Sequence, residues 1–383
     1  MKIYDVAIIG SGIMGASAAY ELARNGASVA LVDQAALPNP QGASVDYSKI
    51  FRFAYPDALY VQMAVEALAL WRKLEEESAT HLLNETGILL IGNRADSFET
   101  QTYEALRSLN LKAEMLSSEE VAARFPQFNK EAIGFAVFDP SGGVLYADKA
   151  VQVSINLACK FGVKVFENER ISAIARKANH NLIRSESGNE WICEKVLIAS
   201  GPWTRKLLPD FANLLTTTQQ EVVYFEPVQN SAKLLNNGKA KFAMSEFPIF
   251  IEIDSGFYGF PIHHNGAMKT GNHLRGKPID PYTFDEKVGE EFIQRCREFF
   301  ARTIPALADA HVVKSHVCIY NNSPDEDFII DWHPDIEGVL LATGFSGHGF
   351  KFGPLIGRIV AELLLEGKST YQLDRFRLSR FKK

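Results

Sequence analysis

The chain has 383 residues, 46% of them hydrophobic and 22% charged, and a formal net charge of −6. That is enough for two domains, or for one large domain with a well-buried core. The acidic balance carries no basic footprint for nucleic acid, and no run of 18 apolar residues reads as a membrane span.

The first forty residues are the most informative. Val6 to Ile9 is a short apolar strand, and Gly10, Gly12 and Gly15 then fit GxGxxG. Ala16 to Arg24 reads as a helix ended by Gly26, and Ser28 to Val32 as a second strand with Asp33 at its end. Gly10 permits the sharp turn, Gly12 lets the backbone approach a pyrophosphate, and Gly15 lets helix and strand pack closely. The helix N-terminus would face the phosphates and Asp33 would accept from ribose hydroxyls. The motif alone does not separate FAD from NAD. An unbroken βαβ unit at the start of the chain is the more usual FAD arrangement.

Pro38 to Tyr55 is loop-like and then extended. A helix follows from Tyr60, with Tyr60, Met63, Ala64, Ala67, Leu70, Trp71 and Leu74 at helical spacing; that stripe reads as core. Gly87 to Gly92 is a strand, and Ser117 with Glu120 forms a capping box. Gly143 to Ile171 reads as helix then strand, and Lys195 to Trp203 as a buried strand closed by Gly201. Gln219 to Thr270 is strand-rich, with the alternation of an antiparallel sheet. A helix is expected over Asp285 to Phe300. Strand, glycine-rich turn and long helix close the chain from Glu337 to Gly367.

The fold class is therefore α/β, a Rossmann-like nucleotide domain with an inserted α+β substrate domain on an antiparallel sheet. The expected division is 1–86, 143–215 and 322–383 for the first domain, and 87–142 and 216–321 for the second. Cys159, Cys193, Cys296 and Cys318 are widely spaced, with no CxxC pair, zinc spacing or disulfide framework, so a reducing, cytoplasmic setting is expected. Strand-like sequence from Tyr4 leaves no room for a signal peptide, and "RLSRFKK" carries no peroxisomal tripeptide.

Five ordered stretches, "IIGSGIMG", "SKIFRFAY", "GFYGFP" followed by "MKTGNH", "VCIYNNSPDEDFIIDWHP" and "GFSGHGFKFGP", resemble the flavin-dependent amine oxidases of the D-amino-acid-oxidase superfamily. The nearest groups are monomeric sarcosine oxidase, N-methyltryptophan oxidase and the fructosyl amino acid oxidases. The resemblance spans nearly the whole chain. It implies FAD linked through its 8α-methyl group to the sulfur of Cys318, a cysteine that alone would read as buried filler. It implies that Lys269 activates oxygen, a fixed cation aimed at developing negative charge. Arg52 and Lys351 match a clamp for the substrate α-carboxylate. Tyr258, His273, Tyr320 and His348 match active-site aromatics, with Lys49 beside the flavin. Gly10, Gly12, Ile13, Met14, Gly15, Asp33, Ser44, Lys49, Val165, Gly201, Trp203, Cys318, Phe345, Gly347, His348, Gly349 and Lys351 are the implied cofactor contacts. The implied partners are a small N-substituted amino acid and molecular oxygen, with a monomeric chain and no nucleic acid or membrane.

The match departs in one place. Sarcosine oxidases carry arginine where this chain has Lys49, and His-His-Gly-Asp where it reads "SVDYS". Fructosyl amino acid oxidases carry a lysine there, preceded by an aspartate three residues earlier, as Asp46 and Lys49 are. His273 and "GHGFKF" follow sarcosine oxidase instead. The contact beside the ring tips the expectation to a fructosyl amino acid oxidase giving glucosone, a free amino acid and hydrogen peroxide. The alternatives are oxidative demethylation of an N-methyl amino acid, and a dehydrogenase using an acceptor other than oxygen.

Overall fold

Strands Val29–Val32 and Val339–Thr343 are apolar but for Thr343 and buried at every position, as parallel strands covered on both faces must be. In the computed structural model, which describes residues 2–227, 241–263 and 265–382, they belong to one eight-stranded sheet. Ile3–Ile9 lies at its centre, parallel to Val29–Val32 on one side and to Glu190–Ile198 on the other. Lys164–Phe166 extends the sheet beyond Val29–Val32. Val339–Thr343 pairs in parallel with residues 196–198 and antiparallel with Ile329–Trp332. The sheet draws on three separate stretches of chain.

Helices Ile13–Arg24, Ala147–Lys160 and Gly353–Glu366 pack together beside it. The first begins at Ile13, earlier than the apolar run from Ala16 indicated, because the GxGxxG turn passes directly into helix. Gly10 has φ +102°, and a Cβ on Gly15 would lie 1.8 Å from the Gly10 carbonyl oxygen. Both positions therefore require glycine. Helix Ala58–Ser78 is capped by the Asp57 carboxylate, and its whole expected stripe is buried. Trp71, fully buried, donates its indole N–H to the Lys351 carbonyl at 2.7 Å. Truncating such a side chain costs about 3–5 kcal/mol, and here it would also loosen Lys351.

The second sheet runs in the order His311–Asn322, Thr216–Glu226, Met268–Asn272, Phe257–Ile262, Ile249–Glu252, Ile88–Gly92, Phe135–Asp139 and Glu114–Ser117. Neighbours are antiparallel except Ile249–Glu252, which runs parallel to Ile88–Gly92. Residues 228–240 of the strand-rich region lie outside the described residues. A three-stranded sheet of Lys49–Phe51, Gly143–Leu145 and Leu83–Glu85 completes the strands described here. Helix Glu290–Thr303 covers the second sheet with Phe292, Cys296, Phe299 and Phe300. It starts five residues after Asp285, because Gly289 is extended and its N–H is held at 2.8 Å by Glu221 Oε1. The Ser117–Glu120 capping box forms with both reciprocal bonds.

One feature of "SPDEDFIID" was not foreseen. Asp325, Asp327 and Asp331 are gripped by Arg380, Arg375 and Arg377 of the chain's last ten residues. Arg375 also pairs with Asp57, the cap of the long helix.

Candidate active site

A cavity of about 630 Å³ runs between the two large sheets. At one end it is lined by Gly10, Gly12, Ile13, Met14, Asp33 and Ser44, and at the other by Tyr258, His273, Tyr320, Arg52, His348 and Lys351. Lys49, Lys269, Cys318, Gly201, Trp203, Phe345, Gly347 and Gly349 also line it. Of the expected residues only Gly15 and Val165 do not. Gly15 is sealed against Gly10, and Val165 sits in the strand paired to Leu31.

The glycine end is a cradle in the literal sense. A Cβ on Gly12 would fall 2.9 Å from Ser44 Oγ, which itself accepts the Ile13 N–H at 3.0 Å. The Asp33 carboxylate takes the Ser11 N–H and hydroxyl at 2.8 and 2.7 Å, and Asn39 at 2.9 Å, which fixes its orientation at the strand's end. Trp203 Nε1 is buried in the cavity wall and has no acceptor among the described residues. A buried donor left without a partner calls for a bound one. Turn, helix N-terminus, acid and orphan indole together fit a dinucleotide.

Midway, Lys49 Nζ lies 3.6 Å from Cys318 Sγ. Lys269, 3% exposed, pairs with the buried Asp46 at 2.5 Å and donates to the Ser48 carbonyl at 2.7 Å. Burial would raise the Asp46 carboxyl, but the Lys269 ammonium and the hydrogen bond from His316 override it and hold it well below the usual carboxylate range. Asp46 has φ +151°, a strained value for a residue with a side chain, kept by bonds from every side.

The far end holds two cations without a carboxylate. Among the described residues Arg52 and Lys351 form no ion pair. Arg52 donates to the Ala54 carbonyl and lies 4.0 Å over the Tyr55 ring. Lys351 Nζ donates to Tyr55 Oη at 2.9 Å and to the His348 carbonyl at 2.6 Å. Burial, then Arg52, pulls the Lys351 pKa well below its ordinary value. His348 Nε2 faces the Glu326 carbonyl at 3.1 Å, an acceptor only, so Nε2 carries the proton. Nδ1 is then the acceptor for the Tyr55 hydroxyl at 3.2 Å. Burial and Lys351 keep His348 neutral, and burial, Arg52 and Lys351 lower His273 to about 4. His273 Nδ1 is 3.4 Å from Tyr320 Oη. Tyr55, Tyr224, His316 and Ser48 were not anticipated from sequence. Tyr55 stands one short step beyond Arg52, but nothing local announces its bond to Lys351, 296 residues away.

The sequence profile of the FAD dependent oxidoreductase family matches residues 5–363. Monomeric sarcosine oxidase from Bacillus sp. (strain B-0618) is 32% identical over 386 residues, covering 98% of this chain and 96% of its own. N-methyl-L-tryptophan oxidase from Escherichia coli O139:H28 (strain E24377A / ETEC) is 31% identical over 390 residues, covering 99% of each. A solved fructosyl peptide oxidase, a thermally stable mutant, superposes with a TM-score of 0.82 at 22% identity, over 98% of this chain and 93% of that one. At that identity the likeness speaks for the fold alone. The profile match and the full-length relatives agree with the cradle and its orphan donor, and this chain belongs to the FAD-dependent oxidoreductase family.

Proposed function

We propose that the chain oxidises the secondary amine of an N-methyl α-amino acid of the sarcosine type, with oxygen as acceptor. The observation that carries the reading is the pair of cavity-lining cations, half-buried Arg52 and buried Lys351, that form no ion pair among the described residues. A substrate carboxylate supplies that charge, and an arginine fork with a lysine point charge suits it. The same two cations, with neutral His273 and His348, disfavour a third positive charge nearby. A substrate amine there loses its extra proton, which frees the nitrogen lone pair that expels hydride.

Bound FAD supplies the chemistry by accepting that hydride and passing its electrons on. The chain's residues bind, orient and balance charge. Gly10, Gly12, Ile13, Asp33, Ser44 and Trp203 would hold the dinucleotide, and we assign Cys318 Sγ as its covalent tether. Lys269, held by Asp46 and Ser48, keeps one N–H for the cavity, where charge develops on oxygen.

The fructosyl expectation rested on Asp46 and Lys49. Asp46 is engaged by Lys269, so it is not spare for a sugar. The curated relatives named above, at 31–32% identity, carry N-methyl amino acid names, which favours demethylation. The test is a peroxide assay with sarcosine, N-methyltryptophan, proline and fructosyl-glycine. Turnover is expected with an N-methyl amino acid. Preference for fructosyl-glycine overturns the substrate assignment, and dye reduction without peroxide overturns the oxygen assignment.

A further inference from the structure

Lys269 has three protons to give, and two are committed, to Asp46 Oδ2 at 2.5 Å and to the Ser48 carbonyl at 2.7 Å. Asp46 is a junction. Its Oδ1 accepts the Tyr224 hydroxyl at 2.5 Å, and its Oδ2 lies 3.4 Å from His316 Nε2. The Asp46 side chain is 1% exposed and that of His316 is 28% exposed, so the histidine is the link that reaches the surface. Its ring stacks on Tyr224 with centroids 6.0 Å apart at 29°, which keeps Nε2 on the carboxylate. Nδ1, the other nitrogen, is enclosed and has no partner among the described residues. An enclosed nitrogen without a partner calls for an ordered water beside it, and the exposed part of the side chain is where solvent reaches the ring.

The reaction needs such a path. Oxidising a neutral secondary amine to an imine removes a hydride from carbon and a proton from nitrogen. Reducing dioxygen to hydrogen peroxide consumes two electrons and two protons. The hydride accounts for both electrons and one proton. The second proton leaves the amine at the Arg52 end and must be made good beside Lys269.

We propose that His316 and Asp46 form a proton relay from solvent to Lys269, an inference that rests on the oxidase reading above. A proton enters at His316 Nδ1, the Nε2 proton passes to Asp46 Oδ2, and Asp46 replaces the one Lys269 gives to reduced oxygen. Neither residue touches the reacting atoms; both are positioning residues that act through Lys269.

The surroundings are charged on every side. Lys49 and Tyr47 stand on the same segment as Asp46, and Asp148 accepts the Asp46 N–H at 3.0 Å from helix Ala147–Lys160. Tyr224 projects from Thr216–Glu226 and Tyr258 from Phe257–Ile262. His263 bonds Ser48 Oγ at 2.7 Å. From the histidine's own strand come Cys318 and Lys314, the latter 4.2 Å over the Tyr47 ring.

The test uses holoenzyme reduced anaerobically by light, which bypasses substrate identity, and then mixed with oxygen across about pH 6 to 10. In wild type the reoxidation rate is expected to break with pH. In His316→Gln, a change at a partly exposed site, the break is lost, the rate falls at least about fivefold, and added imidazole restores it. A His316→Gln profile that coincides with wild type overturns the relay. The flavin midpoint potential against pH is a second readout: wild type breaks, His316→Gln does not, and coincident curves again overturn the relay. If reduced wild type does not react with oxygen at all, it is the oxidase reading that falls.

Discussion

Lys49 Nζ lies 3.6 Å from Cys318 Sγ although 269 residues separate them. Burial would strip the proton from Lys49, but the sulfur and the Asp46 carboxylate more than offset it and raise its pKa above the ordinary value. A cation thus stands beside the sulfur that we assign as the flavin tether. Acid-precipitated wild type is therefore expected to stay yellow, while Cys318→Ala releases the colour to the supernatant. Fluorescence of the protein band on a denaturing gel is the check, and free flavin from wild type would refute the tether.

Arg52 and Lys351 are expected to act on substrate binding. Losing a charge-assisted contact of about 1.5–3 kcal/mol corresponds to a rise of roughly 10- to 100-fold in KM for Arg52→Ala. The effect should vanish for an N-methylamine that lacks the carboxylate. An unchanged KM with the amino acid would remove Arg52 from the clamp.

The Asp46–Lys269 pair makes a stability prediction with a definite sign. The folded Asp46 carboxyl is held below its unfolded value, so its contribution is complete above the ordinary carboxylate range and is lost as pH falls through the lowered folded value. Lys269→Met leaves a buried charge alone, which costs about 3–5 kcal/mol. The stability gap between wild type and variant, measured by denaturant unfolding, should widen from about pH 4 to 7 as the stranded carboxyl ionises.

His273 titrates in the same sense as Asp46, for a different reason. Its pKa falls from 6.5 to about 4, through loss of solvation in the cavity that its ring opens onto and then through Arg52 and Lys351. Its share of stability is present above 6.5 and is lost as pH drops through that window, because the unfolded chain takes the proton first. His273→Gln should flatten the acid side of the stability curve. It should leave the neutral part of the kcat/KM profile without any new break.

Arg375 ties the end of the chain to Asp57 and Asp327. These pairs are partly exposed, so Arg375→Ala is expected to cost about 1 kcal/mol and lower Tm by a few degrees. A larger fall would mean that the cap of helix Ala58–Ser78 depends on this grip.

Legibility followed sequence distance. The βαβ turn could be read because Gly10, Gly12, Gly15 and Asp33 serve one another within a few dozen residues. The stripe from Tyr60 to Leu74 could be read because helical period and burial coincide. Asp46 was noticed only as a neighbour of Lys49, whereas its partners Tyr224, Lys269 and His316 come from three strands at least 178 residues on. The bare pattern of those strands records which residues alternate, not which strand lies beside which loop. The helix start at Glu290 was misplaced for the same reason, since Glu221 pins Gly289 from another strand.

His316, Cys318 and Tyr320 are alternate residues of one strand, facing Val222, Gln220 and Thr218 of its neighbour. With a side-chain period of two, all three point to the same face. The proposed proton path, tether and substrate wall are therefore mounted on a single ruler, whose graduation is set by backbone pairing. A one-residue insertion before His316 would turn the whole set away together. Colour retention, the pH break and turnover should then fail as one trait, although each rests on different chemistry.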